Sequence, residues 1–211
     1  MARVGLINHG ADAAVPGPPP SRSRTVVFGG FLSPAKGLED LLDAWQKISA
    51  TSDYQTDHQL LIAGTCARQH EDWLAALRAD SAGLAKPPRW LGYLDDREFT
   101  EVIAAAGVVV LPYRSSNPSS GILVRAMVQG RPVVATRVTA MELLIADGVT
   151  GELVDVGDVA ALAGKLDGLI RDPARRDALG AAAARVAAER HTWARQVADL
   201  KKVYALSGGP A

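Results

Sequence analysis

The stretch Pro112–Thr136, PYRSSNPSSGILVRAMVQGRPVVAT, reads as the end of a buried strand, a polar loop, a helix and a second buried strand. The loop Ser115–Gly121 is rich in Ser, Asn, Pro and Gly. It opens directly onto a helix, Ile122–Gln129, which is followed by the strand Pro132–Ala135. Such a helix start presents unpaired N–H groups and the positive end of the helix dipole, which suits a phosphate. A βαβ unit of this form places its ligand at the carboxyl ends of its strands. The same residues also admit a plainer reading, in which Ser119 or Ser120 is simply an N-cap.

Working outward, Val108–Leu111 is an unbroken apolar run, the mark of a strand covered on both faces. Similar short runs at Thr25–Phe28, Gln59–Ala63, Arg89–Leu94 and Gly151–Val154 alternate with helical patterns. Leu38, Leu41, Leu42, Trp45 and Ile48 share one helical face. Further helices are predicted over Glu71–Ala82, from a cap at Asp95 or Asp96 through Ala106, and over Met141–Asp147, Asp158–Arg171, Pro173–Arg190 and Thr192–Leu206. This alternation predicts an α/β, Rossmann-like, mostly parallel sheet with helices on both faces. Residues 1–24 are read as an N-terminal strand (Val4–Asn8) and a Pro-rich linker, 25–190 as the main domain, and 191–211 as a C-terminal helix and tail.

The 211 residues are 48% hydrophobic, enough for a substantial core. The 23 basic and 23 acidic residues cancel, which argues against broad nucleic-acid or polybasic membrane binding. The single cysteine, Cys66, forms no internal disulfide and fits a reducing compartment. The longest apolar run, Val102–Leu111, falls short of the roughly 20 residues a bilayer demands. The opening residues lack a secretory pattern. The expectation is a cytoplasmic protein without a transmembrane segment, with attachment to a membrane surface through another subunit left open.

Two constellations carry chemistry. In GGFLSPAKG, Gly29–Gly37, Gly29 and Gly30 let the backbone approach a ligand closely, and Lys36 could meet an anion or stand idle in solvent. The Lys precedes the last Gly and no Ser or Thr follows it, so this is not a Walker loop. In NPSSGILVRAM, the hydroxyls of Ser119 and Ser120 and the amides of Gly121 and Ile122 could cradle a diphosphate. His9, His58, His70 and His191 have no metal-ligand spacing and are read mostly as surface residues; no metal site is expected. Cys66 lacks a partner base and is read as an inert thiol. Asp95, Asp96, Glu98 and Glu101 are read as a helix start with its solvated face.

With these pieces in order, the chain resembles the C-terminal, donor-binding half of a retaining GT-B glycosyltransferase of the group 1 (family four) type. The resemblance runs from VGLINHGAD through VVFGGFLSPAKGLEDLLDAW, LLIAGTC, RWLGYLDDREFTEVIAAAGVVVLPY and GRPVVATRVTAMELLIADGVTGELVDVGD to HTWARQVADLKKVY. It implies that the chain binds a nucleotide-sugar donor and serves sugar transfer, with the nucleotide sugar as substrate and neither cofactor nor metal. Lys36 matches the family lysine on the donor diphosphate, the one catalytic residue implied. Ser119, Ser120, Gly121 and Ile122 match the loop and helix start that receive the same phosphates. Gly29, Gly30, Gly64 and the turn Gly92–Tyr93–Leu94 join the donor site, the turn lying near the base. A partner is implied too, since such enzymes close this half against an N-terminal domain or subunit.

Three positions depart from the family pattern. Gly30 holds the place after the first loop glycine, where an Arg is usual. Asn117 and Arg125 stand where two glutamates are usual, the second accepting hydrogen bonds from ribose hydroxyls. Arg125 is donor-only; it could grip a phosphate or form a surface ion pair. The alternative function is therefore a non-catalytic nucleotide- or phosphate-binding module, or interaction module, derived from a glycosyltransferase.

Overall fold

Six short apolar runs pair into one fully parallel sheet in the order β3-β2-β1-β4-β5-β6. The strands are β1 (Thr25–Gly29), β2 (Gln59–Ala63), β3 (Arg89–Gly92), β4 (Val108–Leu111), β5 (Val133–Thr136) and β6 (Glu152–Val154). The structure, a computed structural model, describes residues 10–50, 57–115 and 120–206. The expected strand Val4–Asn8 lies outside them.

Strand side chains alternate between two apolar layers. Val26, Phe28, Leu60, Ile62, Val108 and Val110 face a layer with α1 (Leu38–Ser49) and α6 (Val159–Arg171). Val27, Val109, Leu111, Val133 and Ala135 face the other layer, with α3 (Asp96–Ala104), α4 (Gly121–Val128) and α7 (Pro173–Arg190). The predicted face of α1 is buried in full, at about 1.5–3 kcal/mol for each large side chain removed from water. Also present are α2 (Glu71–Ser81), α5 (Thr139–Glu142) and α8 (Trp193–Leu206). Among the described residues no helix is long and apolar enough to cross a membrane.

Three expectations need correction. The helix read over Met141–Asp147 shrinks to α5, a single turn over Thr139–Glu142. Past it, the Thr150 hydroxyl takes the Ala146 amide and the Asp147 carboxylate takes that of Leu153, so side chains draw the backbone out of the helix. The third strand stops at Gly92 rather than Leu94, because Gly92 turns left-handed at φ 71°. The histidines are not mainly superficial: His58 and His191 are buried.

The Pro-rich segment lies against the domain as a strap, with one 3-10 turn over Pro20–Arg22. The Val15 amide donates to Gln129 Oε1 and the Ser21 amide to Asp177 Oδ1. Arg131 donates to the Pro18 carbonyl. Arg176, 2% exposed, donates to Ser21 O, to the last carbonyls of α6 (Leu169 and Ile170) and to His58 Nε2 at 2.9 Å. Burial, together with the Arg176 charge, pushes His58 down to about 4.

His58 therefore stays neutral in the folded chain while the unfolded chain protonates near its ordinary pKa. Stability should be complete above about pH 6.5 and fall, by on the order of 2–3 kcal/mol, as the pH drops to about 4. His58→Gln, which keeps an acceptor for Arg176, should flatten that acid limb in urea titrations. A second pair of variants tests packing. A Cβ at Gly180 would overlap the Gly130 carbonyl where α7 crosses, whereas Gly164 in α6 faces open space. Gly180→Ala should cost about 1–3 kcal/mol. Gly164→Ala should add about 0.5–1 kcal/mol. Urea midpoints of the two variants report both effects.

Candidate functional site

The strand order reverses between β1 and β4, so the loops leaving their carboxyl ends diverge and open a crevice there. The two loops are tied together. The Arg114 amide donates to Ala35 O at 2.9 Å. The Arg114 guanidinium grips Asp40, in the first turn of α1, through Nη2 to Oδ1 at 2.7 Å and Nε to Oδ2 at 3.1 Å. Glycine makes the joint tight: a Cβ at Gly37 (φ 65°) would overlap Pro112 O, and one at Gly64 (φ 131°) would overlap Gly30 O.

Lys36 ends the 3-10 turn Pro34–Lys36, and its ammonium lies 3.6 Å from the centre of the buried Tyr113 ring. Among the described residues no carboxylate pairs with it, and partial burial lowers its pKa. Burial pushes the Tyr113 phenol up to about 12, offset in part by the adjacent Ser120 hydroxyl. Ser120 is the N-cap of α4, its Oγ accepting from the Leu123 amide. The N-cap role offered by the sequence thus falls to Ser120. Ser119 and Asn117 lie outside the described residues.

Beside the crevice runs a cavity of about 540 Å³. Gly30, Gly64, Tyr93, Leu94, Gly121, Ile122 and Arg125 line it, so residues expected from four separate loops and helices share one wall. Lys36 and Ser120 are not among its lining residues: Lys36 lies on the Tyr113 ring and Ser120 caps α4. Gly29 lies within β1, where a Cβ would press on Phe99 at 2.7 Å, and Gly92 makes the turn that presents Tyr93.

Other lining residues escaped sequence reasoning. Phe31, Phe99, Thr100, Asp96 and Trp193 are among them. Trp193 Nε1 donates to Asp12 Oδ1, and its ring lies 2.6 Å from where a Gly10 Cβ would stand, so strap and α8 close one end together. Gly30 is not a place for an arginine's side chain: at φ 116° its backbone favours glycine. The first side chain past β1 that reaches the cavity is Phe31, 60% exposed.

Arg125 does not reach into a phosphate crevice. It turns to α3, with Nη2 2.7 Å from Asp96 Oδ1, Nη1 3.1 Å from Thr100 Oγ1, and its guanidinium over the Phe99 ring. Asp95 caps α3 in a capping box with Glu98, as expected, but Asp96 belongs to the cavity wall. Cys66 is half-buried and packs against the core.

Comparisons with known proteins bear on the family and the fold. The sequence profile of the family described as "Glycosyl transferases group 1" matches residues 23–172. The phosphatidyl-myo-inositol mannosyltransferase of Mycobacterium leprae is 36% identical over 88% of this chain and 47% of its own length. The D-inositol 3-phosphate glycosyltransferase of Corynebacterium diphtheriae is 34% identical over 88% of this chain and 43% of its own. The chain thus spans about half the length of the curated relatives it matches. Among solved structures, HepE of Anabaena in complex with UDP superposes with TM-score 0.75 at 23% identity, over 89% of this chain and 49% of that one. Sucrose-phosphate synthase of Thermosynechococcus elongatus does so with TM-score 0.75 at 24% identity, over 89% and 46%. Both share the fold. By its sequence profile and its parallel GT-B-type sheet, the chain belongs to the group 1 glycosyltransferase family.

Proposed function

We propose that this chain is the donor-binding half of a sugar-transferring enzyme, and that it holds a nucleoside diphosphate sugar between the β1 and β4 loops. The observation that carries the reading is Lys36: a partly desolvated ammonium stacked on Tyr113, without a carboxylate partner among the described residues. A desolvated cation of this kind gains most from an anion. The diphosphate lies at Lys36 and the α4 amides, and the nucleoside extends along the cavity toward Gly64 and Tyr93–Leu94.

In transfer, the bond between the anomeric carbon and the diphosphate oxygen breaks, the acceptor hydroxyl oxygen forms the new bond to that carbon, and the hydroxyl proton passes to the departing diphosphate. Negative charge grows on the departing diphosphate. Lys36 and the N–H groups of α4 are already oriented to meet it, so the contribution of this half is electrostatic. The acceptor site is assigned to a second domain or subunit, in keeping with relatives about twice as long.

In a thermal-shift panel of UDP, GDP, ADP, TDP and their sugar conjugates, at least one nucleotide at 100 times its Kd should add about 2.7 kcal/mol of stability. No shift with any of them would sink the reading. Lys36→Met should weaken nucleoside diphosphate binding by about 1–3 kcal/mol in calorimetry, and unchanged affinity would remove Lys36 from the site. Wild-type affinity should decline at alkaline pH, as Lys36 loses its proton at a lower pH than an ordinary lysine, and Lys36→Met should lack that decline.

A further inference from the structure

Two acids stand close to Lys36 in the chain, and neither pairs with it. Glu39 and Asp40, at the start of α1, are both taken up by Arg114. Asp40 accepts from two of the guanidinium nitrogens. Glu39 has one oxygen 3.5 Å from Arg114 Nη1, and its other oxygen accepts from the Trp73 indole at 2.7 Å. What Lys36 meets instead is the residue next to Arg114, the Tyr113 ring, with the ammonium 3.6 Å from the ring centre.

Tyr113 is firmly fixed for a loop residue. It is 1% exposed, and the Thr136 hydroxyl of β5 donates to its carbonyl. The following amide, that of Arg114, donates to the carbonyl of Ala35, the residue before Lys36. Its phenol ends beside the hydroxyl of Ser120, the N-cap of α4. One ring thus touches Lys36 at its face and the α4 cap at its hydroxyl.

A lysine stem is flexible, and confining its ammonium to one place costs side-chain entropy. A ring face attracts the cation without neutralising it. A carboxylate in the same place would cancel the charge that an anion needs.

Resting on the donor-site reading above, we infer that Tyr113 is a positioning residue for Lys36: its ring holds the ammonium in register with the start of α4 and leaves the positive charge free for a diphosphate.

The test is a double-mutant cycle, read by calorimetry with whichever of UDP, GDP, ADP and TDP wild type binds most tightly. In the wild-type background Lys36→Met should weaken binding about tenfold, the weight of a hydrogen bond to a charged group. In a Tyr113→Met background an adaptable apolar side chain fills the space without offering a ring, and Lys36→Met should then cost about threefold or less. Tyr113→Phe keeps the ring and should keep the tenfold dependence on Lys36. Equal Lys36→Met factors in the wild-type and Tyr113→Met backgrounds would mean that the ring only packs; they overturn the inference and leave the donor-site reading standing. So does a Tyr113→Phe variant that behaves like Tyr113→Met. A second readout needs neither a ligand nor a folded Tyr113→Met variant. In wild type the NMR signal of the Lys36 ε-methylene, assigned by its loss in Lys36→Met, should be shifted upfield by the ring face, and an ordinary lysine position overturns the inference. If wild type binds none of the four nucleotides, the donor-site reading and this inference fall together.

Discussion

The site depends on backbone touching backbone at the strand ends. Gly64 meets the Gly30 carbonyl and Gly37 meets the Pro112 carbonyl so closely that no side chain fits at either glycine. Each contact joins loops from neighbouring strands: β2 to β1, and β1 to β4. The loops therefore form one surface. An α/β sheet supplies a crevice wherever its strand order reverses. The glycines turn that general opening into a shaped one.

Charge is then distributed over this frame in two ways. Arg114 is spent on structure, its fork closed on Asp40, so the β4 loop stays fastened to the start of α1. Lys36, a few residues away, is stacked on Tyr113 and paired with no acid among the described residues. A desolvated ammonium without an acid partner is costly, and an anion brought against it would offset that cost. Arg125 follows the first pattern: its charge goes to Asp96. On the opposite edge of the sheet, Arg176 gathers the strap, the end of α6 and the entry to β2 around a buried neutral histidine. That knot holds the scaffold on the side away from the crevice loops.

The elements were legible because their signals are local. Val108–Leu111 announces a doubly covered strand by composition alone, and Pro173 and Asp158 mark helix starts within a residue of where they occur. Where the local signal failed, a side chain from a little further along had intervened. Thr150 and Asp147 unwind the segment after α5 in this way, although its apolar spacing fits a helix. The burial of His58 had no local signal at all, since its cover comes from Arg176 in α7, 118 positions away.

For the site, the sequence by itself determined which loops leave the carboxyl edge and which residue types stand on them, because hydrophobic period and glycine placement are properties of short windows. Only the tertiary structure decided what those residues do to one another. Arg125 meets Asp96 across 29 positions, Arg114 meets Asp40 across 74, and Trp193 meets Asp12 across 181. Those pairings follow from sheet order and helix packing. A guanidinium commits to whichever carboxylate the fold brings within reach, and nothing in the neighbouring sequence specifies which one that is.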